Sequence, residues 1–319
     1  MKDYFKLLGW ESLLMIIIGM LMLRSQIFIP FYNMYFPFTI IPSSEFVAFS
    51  FGAVFMMASF NVICSYYDGK MQDIIDNKQQ KEDTQQTNKY KMFWVLCIIA
   101  LGLIGFVSIK NNAWQVLAIA VVFECGAYFY ALKYKREYLI GNIMISLLFA
   151  LIVFLPLLLE FFAFKNFDSP FTLRIPKEGM QDLFSLFAYF GGFVFLLCFV
   201  RDLTVDLANL EDNKKNNLVT FPVKEGVRPT KTLLVIASCL FMILNIYFMY
   251  RFYDKLDTIH IIFICIIVLA PMVYYIISLM RAKLPMYYAQ LYQTLGIIYI
   301  ALLFVIFFCN DIFKINATL

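Results

Sequence analysis

The sequence predicts an all-α protein that crosses a membrane repeatedly, a bundle of nine transmembrane helices forming one domain over residues 1–319. Three observations carry this expectation. The chain is 62% hydrophobic and 15% charged, with a mean hydropathy of +0.76, whereas a soluble domain is about 45–50% apolar and about 25% charged. A fold of this size exposes too much surface to hide such an excess, which excludes soluble enzymes, disordered tails and secreted disulfide scaffolds. The apolar residues also fall in runs of about 20, the length that crosses a hydrocarbon core of about 30 Å. The runs are apolar on every face, unlike the alternating segments of about 9–11 residues in a β-barrel. Lipid satisfies no backbone polar group, so helices remain.

The runs lie near 10–30, 45–67, 92–109, 113–132, 139–163, 184–200, 231–251, 258–280 and 290–309. The third, fourth and fifth are separated by short polar gaps and read as helical hairpins. The first is too long for a signal-peptide core and no small-residue cleavage site follows it, so it is expected to stay as a span. When alternate loops are assigned to one side, 18 Lys and Arg fall on the side of the N-terminus and 7 on the other, with Arg24 inside the first span. The positive-inside rule then puts the N-terminus in the cytoplasm and the C-terminus outside. The net charge of +4 follows from this bias, and no nucleic-acid partner is expected. The polar segments 68–91 and 201–231 become cytoplasmic loops; the Gln-rich stretch 79–86 within the first is expected to be solvated.

Ionisable residues inside spans are costly in a bilayer and point to function. Glu124 is the least expected, and is either met by Tyr128 one turn on or protonated. Arg24 and Glu160 lie near span ends and are expected to snorkel. The seven cysteines sit in or beside apolar runs without a CxxC, and read as small buried hydrophobes. The single histidine, His260, cannot build a His-rich metal site, and Asn316-Ala317-Thr318 is a chance sequon match.

The chemistry gathers at two cytoplasmic ends. Ser65, Asp68 and Gln72 stand at i, i+3 and i+7, one face of a helix. Asp206, Asn209 and Asn213 repeat that spacing four spans later, with Asp202 one turn before. The repeated offset reads as a degenerate internal duplication. Acidic helix ends of this kind hold Mg2+, which in turn holds a diphosphate and neutralises its charge as it departs from an allylic carbon. The substrate's lipid-soluble tail would lie among the spans and membrane lipids.

The segment RDLTVDLANLEDNKKNNLVTFPVKEG resembles the second Asp-rich motif of the UbiA family of intramembrane prenyltransferases, R-E-x-x-K-D-x-x-D-x-E-x-D followed by basic residues and T-L-P-x-x-x-G. Arg201, Asp202, Asp206, Glu211, Lys214, Lys215, Thr220, Pro222 and Gly226 occupy matching places. YALKYKREYLIGN resembles the family's Y-S-x-x-x-K-R-x-x-x-x-G-N signature through Tyr130, Lys135, Arg136, Gly141 and Asn142. The opening YFKLLGWESLLMIIIGMLMLRSQIFIP is similar to the first span of members near the geranylgeranylglycerol-phosphate transferase branch. The resemblance implies the UbiA-type bundle of nine helices with an inside N-terminus, and transfer of an isoprenoid group from a prenyl diphosphate to a lipophilic acceptor. It implies that Asp68 and Asp206 hold Mg2+, supported by Asp202, Asn209, Asn213, Gln72 and Ser65. Lys135, Arg136, Lys214 and Lys215 would contact phosphate, or serve as positive-inside anchors. Tyr130 and Asn142 would shape the acceptor side, or pack between spans.

The family's first motif is N-D-x-x-D-x-x-x-D, and here its places read Cys64, Ser65, Asp68 and Gln72, unless a shifted helix brings in Asp73 or Asp76. Of six motif aspartates two remain, so Mg2+ is expected to bind weakly or not at all. Two readings stay open: a transferase with a sparse metal site, or a catalytically inactive lipid-binding or assembly subunit with a protein partner. A transporter is a third, disfavoured by polar clusters at one membrane face. The Lys, Asn, Ile and Phe-rich composition suits an AT-rich genome and a bacterial inner membrane.

Overall fold

The computed structural model describes residues 7–35, 39–75, 84–166, 177–216 and 218–314. Among the described residues nine helices are long and apolar enough to cross a membrane: α1 (Trp10–Met34), α2 (Ser43–Lys70), α3 (Gln86–Lys110), α4 (Trp114–Leu132), α5 (Ile140–Lys165), α6 (Gly179–Ala208), α7 (Val227–Arg251), α8 (Thr258–Arg281) and α9 (Pro285–Phe313). Large aliphatic side chains such as Ile98, Val122, Ile243 and Ile259 point outward. This is the surface of an integral membrane protein.

The helices overrun the apolar runs because the i→i−4 ladder continues past the last lipid-compatible residue. The run at 184–200 becomes α6, which carries Arg201, Asp202 and Asp206 on helical backbone. The expected loop 68–91 is partly helical too, since helix persists to Ile75 and resumes at Thr84; residues 76–83 lie outside the described residues. The second expected loop contains a helical turn over Leu210–Lys215, a short strand, and another turn over Phe221–Glu225 before α7. Arg24 and Glu160 are 5% and 2% exposed, so neither snorkels. Their positions are interior once the true helix lengths replace the apolar windows. Cys97, Cys198 and Cys309 are buried as expected, but Cys125 and Cys265 are exposed.

The chain forms two compact units. One comprises Met1–Leu21, Thr39–Lys135 and Phe154–Arg174. Its centre is the α2–α3 hairpin, where a Cβ on Gly52 would come within 2.7 Å of Ile104 Cγ1 and 3.4 Å of the Ala100 carbonyl. Small residues permit such approach between helices that no hydrophobic effect drives together in lipid. The α3–α4 turn closes through Asn112 in the left-handed region (φ +54°), with the Ala113 N–H donating to the Ser108 carbonyl at 2.7 Å, a Schellman-like end. Glu45 seals it, accepting from Asn111 and Lys110, each at 2.7 Å.

The other unit comprises Met22–Phe38, Arg136–Val153 and Ile175–Leu319. Here α7 and α9 pack on α6, around the rings of Tyr189, Phe190, Phe193, Phe241 and Phe248. Asp182 is buried and accepts from Arg251 at 2.7 Å and Lys255 at 2.5 Å. Strand β1 (Glu137–Tyr138) pairs in parallel with β2 (Val219–Thr220). The T-x-P-x-x-x-G element then has a physical reading. Thr220 is buried, Pro222 opens the turn where no N–H is needed, and Gly226 (φ +91°, ψ 174°) joins that turn to α7.

Among the described residues two helices contain π turns, Arg24–Phe28 in α1 and Ile264–Leu269 in α8. Each precedes a proline, Pro30 or Pro271. A proline cannot donate to the carbonyl four residues back, here Gln26 or Ile267, and the widened turn accommodates that gap.

Gly226 occupies a region essentially closed to other residues. Gly226→Ala should therefore lower stability by about 1–3 kcal/mol, read as a lower denaturation midpoint in detergent.

Candidate active site

In the second unit the last turns of α6 carry Asp202 and Asp206, one turn apart on one face. Like charges so placed repel. Asn142, from the first turn of α5, lies between them: its Nδ2 donates to Asp202 Oδ2 at 2.8 Å and to Asp206 Oδ2 at 3.0 Å. One amide group thus uses both protons to hold two carboxylates. Asn142 is 3% exposed, and its backbone carbonyl accepts from Ser146 Oγ at 2.6 Å.

Neighbouring tyrosines fix the same end of α6. Thr204 shares a hydrogen bond of 2.6 Å with the Tyr275 hydroxyl. Arg201 donates to the Tyr292 hydroxyl, with its guanidinium 4.5 Å from that ring's centroid. Tyr299 bonds Cys198. Sequence reasoning missed these tyrosines, although Tyr292 and Tyr299 stand two turns apart on one face of α9, a spacing that could have flagged them.

The i, i+3, i+7 pattern is carried across a backbone break. Asn209 (φ −96°, ψ 16°) interrupts the helix, yet its N–H still donates to Val205 and its carbonyl still accepts from Asn213. Asn209 is exposed and Asn213 half-buried. Lys214 and Lys215 are exposed, and Lys215 makes a surface pair with Asp212 at 3.8 Å. Arg136 is half-buried just before β1. Tyr138 donates to Glu225 at 3.0 Å and carries Lys224 over its ring. Partial burial and the adjacent Glu225 carboxylate hold its phenol above the usual pKa.

In the first unit the end of α2 presents Ser65 and Asp68, one turn apart. Lys135 meets Asp68 Oδ2 at 2.6 Å, and Lys89 donates to Ser65 Oγ at 3.3 Å. Lys89 was not anticipated, because it lies 24 residues from Ser65 with no local signal. Gln72 lies on the same helix, but its side chain and those of Asp73 and Asp76 lie outside the described residues. Tyr67 and Tyr128 bond through their hydroxyls at 3.1 Å, beside the rings of Tyr66, Tyr90 and Phe93. Tyr130 is buried against Phe60. Glu124 accepts from Ser59 at 2.8 and 2.9 Å. The expected cap by Tyr128 is not made, since that hydroxyl is directed to Tyr67.

Two carboxylates held one turn apart are a hard-oxygen set that suits Mg2+. The Asp202–Asp206 pair, tied together by the Asn142 amide, is such a donor set. Asp68 does not fit it equally, because an ammonium already rests on its Oδ2. Asp257, His260 and Asp311 also lie close together, with ligand atoms within 4.8 Å. There, however, the Asp257 N–H donates to His260 Nδ1 at 3.3 Å. That leaves the imidazole proton on Nε2, facing Asp311 at 3.5 Å. A metal on Nε2 would have to displace it, so this cluster is a helix cap.

The pattern of the UbiA prenyltransferase family matches residues 12–285. A protein named digeranylgeranylglyceryl phosphate synthase, from Methanobrevibacter smithii, is 24% identical over 204 residues, 62% of this chain and 65% of that protein. The matched part is thus just under two thirds of that relative's length. Among solved structures, one described as giving structural and mechanistic insights into digeranylgeranylglyceryl phosphate synthase in membranes is similar with a TM-score of 0.62 and 20% identity, covering 96% of this chain and 98% of that one. A UbiA homologue from Archaeoglobus fulgidus bound to GPP and Mg2+ is similar with a TM-score of 0.51 and 16% identity, covering 95% and 99%. At these identities the structures establish a shared fold.

Buried Glu124 is met by Ser59, with Cys97 as a second hydrogen-bond partner. Ser59→Ala should destabilise the protein by about 1–3 kcal/mol. Adding Glu124→Leu, which removes the stranded carboxyl group, should recover most of that loss in the same denaturation assay.

Proposed function

Because this chain belongs to the UbiA prenyltransferase family, we propose that it transfers an isoprenoid group from a prenyl diphosphate to a lipophilic acceptor, releasing diphosphate. The observation that carries this reading is the Asn142 amide holding Asp202 and Asp206. That arrangement holds two carboxylates together at the end of a span. Asp206, with Asp202, supplies the oxygen ligands for Mg2+, which when bound neutralises charge on the departing diphosphate. The Mg2+ and GPP named for the Archaeoglobus homologue support this assignment. Asn142 thereby acts on the carboxylates as a positioning residue, in place of the acceptor-side role expected from sequence.

The remaining residues take graded parts. Asn213 offers a neutral carbonyl near the acidic pair in sequence, and Asn209 and Gln72 are assigned the same supporting role. Arg136 and Lys135 contact phosphate. Lys214 and Lys215, both exposed, act as positive-inside anchors. Tyr130 packs in the core of its unit. The name of the Methanobrevibacter relative makes a glyceryl phosphate lipid the first acceptor to assay. The charge bias of 18 to 7 supports an N-terminus in the cytoplasm and a C-terminus outside, and the composition supports a bacterial cytoplasmic membrane.

The test is diphosphate release from a prenyl diphosphate by the protein in lipid nanodiscs, with a glyceryl phosphate lipid present and with Mg2+ or EDTA. Release should require Mg2+. Asp206→Ala should lower the rate by about 10²–10³-fold, and Asn142→Ala by about 10- to 100-fold. Release unaffected by Asp206→Ala would sink the assignment, and no release under any condition would point to a non-catalytic role.

A further inference from the structure

We propose that the cavity at the Arg251 end of α7 binds the headgroup of a zwitterionic phospholipid, with its phosphate on Arg251 and its ammonium on Asp254. This cavity belongs to the second unit but lies far from the acidic pair. Asp182, which anchors it, precedes Asp202 by 20 residues on α6, a rise of about 30 Å. That is the thickness of a hydrocarbon core of about 30 Å, so the lipid site sits at the membrane surface opposite Asp202 and Asp206.

A buried carboxylate fixes the cationic wall. Asp182 accepts from Arg251 Nη2 through Oδ1 at 2.7 Å and from Lys255 Nζ through Oδ2 at 2.5 Å. Two cations around one anion leave a single positive charge. Arg251 uses one of its five N–H bonds on Asp182, and its side chain is 37% exposed. It lines a cavity of about 570 Å³ together with Tyr250, Tyr253 and Asp254, a volume typical of small-ligand sites. Asp254 is exposed and gives the same lining a negative charge three residues from the positive one. A simple anion entering the cavity meets Asp254, and a simple cation meets Arg251. A headgroup that carries both signs meets each with its opposite.

The surface beside the cavity suits the rest of a lipid. Ile236, Leu240, Ile243, Tyr247 and Tyr250 are all exposed, at spacings of four, three, four and three, so they form one outward stripe along α7. An acyl chain lies along that stripe, and Tyr250 joins the stripe to the cavity lining. Tyr250 and Tyr253 are 79% and 66% exposed, the amphipathic rings that settle at headgroup level. A water-soluble zwitterion finds the same two charges but gains nothing from the stripe, so the observations favour a lipid. The contact from Arg251 to phosphate is a charge-assisted hydrogen bond, about twice as strong as a neutral one.

The test is native mass spectrometry of the full chain in detergent, titrated with phosphatidylethanolamine or with phosphatidylglycerol of the same acyl chains. Wild type should hold one phosphatidylethanolamine about tenfold more tightly than phosphatidylglycerol. Arg251→Gln should lose that molecule, but it also strands buried Asp182, so variants of the exposed Asp254 and Tyr253 carry the decision. Asp254→Asn should weaken phosphatidylethanolamine about tenfold and leave phosphatidylglycerol no weaker. Asp254→Lys should reverse the preference, and Tyr253→Ala should weaken both lipids. Free phosphoethanolamine at the concentration of the lipid should leave the lipid bound. The proposal is overturned if wild type binds the two lipids alike, or if Asp254→Asn and Asp254→Lys keep the wild-type preference. It is also overturned if free phosphoethanolamine displaces the lipid, since a soluble zwitterion is then the ligand.

Discussion

A carboxylate inside an apolar helix bundle has to be met by a donor, since desolvating an unmet charge costs several kcal/mol. Much of this protein's polar architecture follows from that constraint. Glu45 is met by Lys110 and Asn111, Glu124 by Ser59, and Asp182 by Arg251 and Lys255. Asp202 and Asp206 share the amide of Asn142. In each case the donor comes from a distant part of the chain, so every such contact also ties one helix to another. Lipid offers no hydrophobic drive for helix association, which makes these polar ties and close approaches such as Gly52 on Ile104 the main sources of specificity.

The donor type differs between the two motif ends, and the difference has chemical weight. A neutral amide ties Asp202 to Asp206 and adds no charge of its own. An ammonium pairs with Asp68, and a second one donates to Ser65 on the same helix end.

Much of this was legible in the sequence. Nine apolar runs predicted nine helices, because length and composition are local properties. The offsets of Ser65 from Asp68 and of Asp202 from Asp206 identified shared faces, because helical periodicity is local too. The partners were not legible. Asn142 lies 60 residues from Asp202, and nothing in YLIGN announces which carboxylate its amide will meet. Arg24 and Glu160 were misread as snorkelling because apolar windows mark where lipid is tolerated and not where a helix stops. Of the two readings of Glu124, a cap by Tyr128 at i, i+4 or a protonated carboxyl, the first is not made, because the Tyr67 hydroxyl on α2 donates to Tyr128.

The π turn in α8 sets how that helix faces its neighbours. Its buried residues are His260, Ile264, Val268, Met272, Tyr275 and Leu279. The spacing is four, four and four through the widened turn, then three and four. In an unbroken α-helix successive steps of four drift around the cylinder by about 40° each, and the stripe would wander off its neighbours. The extra residue in the π turn absorbs that drift. It keeps His260, which caps one end of the helix, and Tyr275, which grips Thr204 near the other, on a common side. Deleting one residue between them would rotate the two ends against each other by about 100°, so the helix could keep its cap or its grip on the acidic end of α6, but not both. The length of α8 is thereby counted to the single residue.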